Sequence, residues 1–220
     1  MDKTSSGWIN GFIGVAIFAG SLPATRVAVA DLDPTFLTCA RASIAALLAL
    51  AMLLALRQPR PARADMPSLA LSALGGVVGF PLLTALALQY VTSAHSIVFV
   101  GLLPLSTAVF AVLRGGERPR PAFWPFSLAG AAFVAGYAAV GGAGGSLRGD
   151  LLMLAAIIVC GLGYAEGARL SRTLGGWQVI SWSLVLALPV MLPAALLSMP
   201  ASLADVGRPA WLGLAYVSLF

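Results

Sequence analysis

The chain has 220 residues, 60% of them hydrophobic and 10% charged, against about 25% charged in a soluble domain. With a mean hydropathy of +0.95, that composition excludes a soluble globular domain and leaves an integral membrane protein whose solvent is the bilayer. The formal charge of +5 sits on arginines between apolar runs, with no basic face interleaved with aromatics, so it marks membrane topology and excludes nucleic acid as a partner.

Apolar runs long enough to cross a bilayer, about 20 residues each, are predicted at 8–29, 34–56, 68–91, 94–113, 123–141, 151–171, 177–199 and from 209 onward. Unpaired backbone groups are costly in lipid, and no run shows the ten-residue alternation of a barrel strand, so these are helices. Lys3 ahead of a run ending near SLPA has the form of a signal peptide, but the internal repeat described below argues that the segment stays. In the first span Ser21 and Thr25 are candidate substrate-path residues. Arg26, and Arg41 in the second span, lie near one end of the membrane. Snorkelling, pairing with Asp31 and Asp33, and contact with a substrate carboxylate all account for them.

At the junction of spans three and four, Gln89, Tyr90, His95 and Ser96, with Phe99 one turn deeper, fit either an outward vestibule or a helix cap and turn. The RGGERP element after span four reads as a tight turn anchored by Arg114 and Arg118, and the GGAGGS run from Gly141 as a linker without the lysine of a phosphate-binding loop. Span six holds CGLGYAEGARL. An ionisable residue inside a span is a functional candidate by default. Glu166 can carry a proton or pair with a substrate ammonium, yet it lies nearer one face than the centre, and Arg169 shares its face at i+3 as a structural partner. Tyr164, and Tyr216 in span eight, offer aromatic walls and hydroxyls. Cys39 and Cys160 are packing residues within apolar runs. No nucleophile or metal-ligand grouping stands out, so no enzyme activity, cofactor or metal is expected.

With the N-terminus in the cytoplasm, Lys3, Arg57, Arg60, Arg63, Arg114, Arg118, Arg120, Arg169 and Arg172 fall inside and only Arg148 and Arg208 in outer loops, nine against two, which sets the orientation. Pro23, Pro81, Pro104, Pro189 and Pro193 fall within spans and invite kinks. Gly75/Gly79 and Gly163/Gly167 have the small-xxx-small spacing that lets helices approach closely.

Sliding the chain along itself lays Phe18–Val27 on Gly161–Leu170, an offset of 143, so that Gly20 meets Gly163 and Arg26 meets Arg169. A first unit over 1–145 with five spans and a second starting at 150 and running through 220 would enter the membrane in opposite senses, the inverted repeat typical of transporters. Completion of the second unit implies ten spans and a length of about 290 residues, of which about seven and a half helices lie in this chain.

The runs GSLPATRVAV with Arg26 and PTFLTCARASIAALL with Arg41 resemble the opening helices of the EamA family of the drug/metabolite transporter superfamily. So do Pro104 followed by GGERP and the restart GDLLMLAAIIVCGLGYAEGARLSR; within the family the likeness is greatest to YddG-type amino-acid exporters. The resemblance implies an all-α bundle of ten helices in a bacterial inner membrane, a central cavity lined from both halves, and alternating-access export of small metabolites. Aromatic residues and few buried charges favour aromatic or other neutral amino acids, with a facilitative pore as the alternative. The expected partners are the solute and the lipid bilayer, and the expected assembly is a monomer.

Overall fold

A computed structural model describes residues 3–140 and 145–219, so Gly141 to Gly144 of the expected linker lie outside the described residues. Regular structure in the described residues is entirely helical. The first span is α1 (Lys3–Ala19) and α2 (Ser21–Ala28), and the second is α3 (Pro34–Ala55). The third runs from α4 (Met66–Ser72) through a π-helical segment, Ala73–Gly79, to α5 (Phe80–Ala87). The fourth is α6 (Ser93–Val100) with α7 (Leu103–Gly115). Single helices follow: α8 (Phe123–Ala139), α9 (Leu147–Leu174), α10 (Gly176–Leu197) and α11 (Arg208–Leu219). Six helical stretches among the described residues are long and apolar enough to cross a membrane, and a shorter apolar helix covers Phe123–Tyr137.

Three of the predicted continuous spans are interrupted, and the prolines explain where. Pro23, Pro81 and Pro104 each sit in the first turn of the helical piece that follows a break, where a missing N–H costs nothing. Upstream, the chain closes with i−3 bonds, Gly20 to Ile17, Gly101 to Val98 and Leu102 to Phe99, or widens into the π segment. Pro189 and Pro193 differ: α10 continues through both. At the start of α3, the Asp33 carboxylate accepts from the amides of Thr35 and Phe36, with Pro34 as the first helical residue.

Small residues decide which spans meet. Gly75 of the third span and Gly163 of α9 are in backbone contact, and a Cβ on Gly75 would stand 2.6 Å from the Gly163 Cα. Gly79 backs onto Val159 and Gly167 onto Ser72, so the two small-residue pairs of the sequence face each other. The first span meets α11 in a similar way. Gly20 leaves room for the Tyr216 ring, whose hydroxyl donates to the Ile17 carbonyl at 2.5 Å, while Gly213 lies against Ala24 and Ala28. Further along, the Gly207 amide donates to the Asp31 carboxylate at 3.0 Å. α3 packs on α10 through Cys39, Ala42, Ala187, Met191 and Ala195. These three pairings are antiparallel; α7 lies parallel to α9, with the Ser106 hydroxyl donating to the Ile157 carbonyl at 3.1 Å.

The outward surface is apolar, with Phe126 and Phe133 each 81% exposed, as expected of side chains that face hydrocarbon rather than water.

Candidate functional site

Antiparallel packing sorts the polar residues of the spans into two ends and a cavity between them. At one end the spans that carry Arg114, Arg169 and Arg172 converge. Glu166, 1% exposed, is bridged through one oxygen by Arg114 of α7 and through the other by Arg169, one turn on, at 3.0 Å. Arg169 also donates to the Ser68 hydroxyl of α4, so one carboxylate ties together the third, fourth and sixth spans. Both guanidinium groups are about half exposed while the carboxylate is fully enclosed. Outside this cluster, Arg172 pairs with Glu117 of the turn that follows Gly116, whose φ of 65° suits glycine. The Gln178 amide donates to the Gln58 side-chain oxygen at 3.3 Å.

The opposite end is built around His95. Its backbone amide is capped by the Thr92 hydroxyl at 3.2 Å. Its fully buried ring meets the Asp150 carboxylate through Nε2 at 2.7 Å and packs against Phe99 and Tyr137. Nearby, the Arg148 guanidinium lies 4.5 Å over the Tyr90 ring, and Arg26 donates to the Leu88 carbonyl.

Between the two ends is a small, partly open cavity of about 80 Å³, lined by Phe18, Ser21, Leu22, Thr25, Arg41, Gly76, Phe80, Pro81, Thr84 and Tyr164. It draws on the first, second, third and sixth spans. The first span contributes through 18, 21, 22 and 25, the i, i+3, i+4, i+7 stripe of one helix face, and the third through Gly76, Phe80 and Thr84. The Thr25 hydroxyl donates to the Ser21 carbonyl at 2.7 Å, which satisfies it along its own helix and leaves its oxygen able to accept. Gly76 and Tyr164 also border a cleft of about 400 Å³ that runs towards the arginine-rich end past Ser72, Thr107, Gly167 and Ser171. The Tyr164 ring thus stands where cavity and cleft meet.

The predicted path residues therefore fall into separate places. Ser21, Thr25, Arg41 and Tyr164 come together around the cavity. Gln89 and Tyr90 are exposed at the His95 end, and Ser96 is buried there beside His95. Phe99 turns from the His95 ring towards an apolar crevice of about 480 Å³ formed with Leu105, Val109, Val134 and Ile158. Glu166 and Arg169 belong to the arginine-rich end, and Tyr216 seals the contact of α11 with the first span. Arg26 donates to a backbone carbonyl, while Asp33 caps α3 and Asp31 holds the Gly207 amide. Thr84, Gly76 and Phe80 were not picked out from the sequence, although their spacing of four places them on one helix face. Arg114, a turn anchor by its sequence context, instead holds the Glu166 carboxylate.

Residues 5–140, more than half of the chain, match the EamA-like transporter family. A relative from Bacillus subtilis (strain 168), named as the uncharacterized transporter YdeK, is 66% identical over 220 residues, which cover 100% of this chain and 77% of the relative.

Proposed function

This chain belongs to the EamA-like transporter family, and from that premise we propose that it acts as a secondary transporter exporting neutral amino acids across a bacterial inner membrane by alternating access. The observation that carries this reading is the cavity. Four hydroxyls, one guanidinium and two phenyl rings from four spans surround a space inside the bundle, a lining suited to a small amphipathic solute. Both proposed repeat units contribute, Tyr164 from the second and the remaining lining residues from the first.

The pairing of the spans supports an inverted repeat. Under the offset that lays Gly20 on Gly163, the first span with α11 and α9 with the third span are images of each other, and α3 with α10 is its own image. Gly20 and Gly163 each make a close helix approach in those equivalent places. Two units related in this way can rock about the cavity, exposing it to either side. The arginine-rich end is the cytoplasmic one in this reading, and the Glu166 cluster is its closure. A proton reaching Glu166 must displace guanidinium contacts on both carboxylate oxygens, so the cluster favours a latch over a coupling base.

The test is uptake by the full-length protein in liposomes of labelled alanine, leucine and phenylalanine, with and without a proton gradient. Saturable uptake with counterflow is expected for at least one of them. Linear flux without counterflow identifies a pore, and movement of strongly charged solutes alone overturns the neutral amino-acid reading.

A further inference from the structure

We propose that Arg41 is an anion-binding residue whose guanidinium receives the carboxylate of a small organic acid in the cavity, with the Thr84 hydroxyl as the second donor. The assignment of that acid as cargo rests on the transporter reading; the binding site itself does not.

Three observations converge on it. Arg41 lies seven residues into α3 from Pro34, about 10 Å along the span at 1.5 Å per residue, yet it lines the cavity and is only partly exposed. Among the described residues the ion pairs are His95 with Asp150, Glu166 with Arg114 and Arg169, and Glu117 with Arg172. None involves Arg41, no hydrogen bond of its guanidinium occurs among them, and the cavity lining contains no carboxylate. An unpaired cation held away from water is strongly disfavoured unless an anion joins it.

Thr84 supplies the second observation. It is 4% exposed, its hydroxyl has no hydrogen-bond partner, and it lines the same cavity. Many buried hydroxyls are satisfied along their own helix, as Thr25 and Ser43 are here; Thr38, Ser96 and Ser183 also lack a partner, but of the four only Thr84 lines this cavity. An orphan hydroxyl and an orphan guanidinium on one small cavity form a donor set waiting for an acceptor. A guanidinium presents its N–H groups as a planar fork that matches a carboxylate through two parallel hydrogen bonds.

The third observation is position. The pocket is small, about 80 Å³, and at Gly76 and Tyr164 it adjoins the cleft of about 400 Å³ that leads towards the arginine-rich end. With the carboxylate at Arg41, the remainder of the solute extends past Tyr164 into that cleft.

The full-length protein, purified in detergent in low-chloride buffer, tests this by thermal unfolding with propionate and alanine against the matched amides, propionamide and alaninamide, and with chloride as a control. The acids are expected to raise the melting temperature of the wild type, and the amides and chloride to leave it unchanged. Arg41→Gln is expected to abolish that shift. Without ligand it should be at least as thermostable as the wild type, because an unpaired, partly buried charge has been removed; a purely structural arginine would give the opposite sign. Arg41→Lys, which keeps the charge and loses the fork, and Thr84→Val should each retain binding weakened at least tenfold. Protection by amides or chloride equal to that by acids, no protection by any acid, or an unchanged shift in Arg41→Gln overturns the site. Arg41-dependent protection by acids without liposomal flux of any of them retains the site and overturns the transporter reading. Wild-type flux that Arg41→Gln leaves intact does the reverse.

Discussion

Replacing Glu166 with alanine should destabilise the folded protein by about 3 kcal/mol, the low end of the range for breaking a buried ion pair. The carboxylate is fully enclosed, so none of its interaction is with solvent in the native state. Its loss leaves Arg114 and Arg169 as adjacent like charges and removes the tie from α9 to the fourth span. The half exposure of both arginines lets water recover part of the cost, which keeps the figure from the top of the range. Glu166→Gln keeps the shape and one acceptor, and should lose about half as much. A double-mutant cycle by thermal unfolding in detergent is the check. Glu166→Ala combined with Arg114→Ala should cost clearly less than the sum of the single changes, since each already breaks the shared contact. Additive losses would show that the two side chains do not depend on each other and would remove the latch from the proposed mechanism.

Gly163→Ala should be comparably harmful although it adds one methyl group to a helix. Alanine ordinarily gains about 1 kcal/mol over glycine in a helix interior. Here the new Cβ would stand 2.8 Å from the Gly75 Cα and 3.0 Å from the Gly76 nitrogen. Both are backbone atoms that cannot swing aside, so α9 and the third span must separate. Overpacking of this kind costs about 1–3 kcal/mol or more, enough to reverse the propensity gain. Gly130→Ala on α8 is the matched control, because nothing lies within 4 Å of its Cβ position. A lower melting temperature for the first variant and an unchanged or higher one for the second are expected. Equal effects would mean that the close approach of the two spans contributes nothing to stability.

Hydropathy alone made the order and number of spans legible, because each run is long, apolar and separated from the next by charge, proline or glycine. Local spacing also worked where both partners lie on one helix. The i, i+3 relation of Glu166 and Arg169 is a property of a single helix face. Contacts between distant segments were hidden. Arg114 reaches Glu166 across 52 positions and His95 reaches Asp150 across 55, and no periodicity encodes such a meeting. For the same reason Thr84 went unnoticed: a threonine in an apolar run is unremarked until its hydroxyl is seen to lack a partner. Helix breaks were legible as prolines but not as geometry, since a proline does not say whether the chain upstream will tighten, widen or, as in α10, continue.

The π-helical segment at Ala73–Gly79 makes helical winding itself a determinant of the cavity. A π turn holds one residue more than an α turn, and each residue of an α-helix advances the azimuth by about 100° at 3.6 residues per turn. Excision of one residue from this segment would let it relax to a plain α-helix with the side chains on either side in nearly their present orientation, Phe80 and Thr84 still on the cavity wall and Ser72 still against α9. The same residues rewound as α-helix without a deletion would instead turn Phe80 and Thr84 by about 100° relative to Ser72, off the cavity wall. The extra residue and the wide turn thus compensate each other, and it is the winding of the segment that ties recognition to packing.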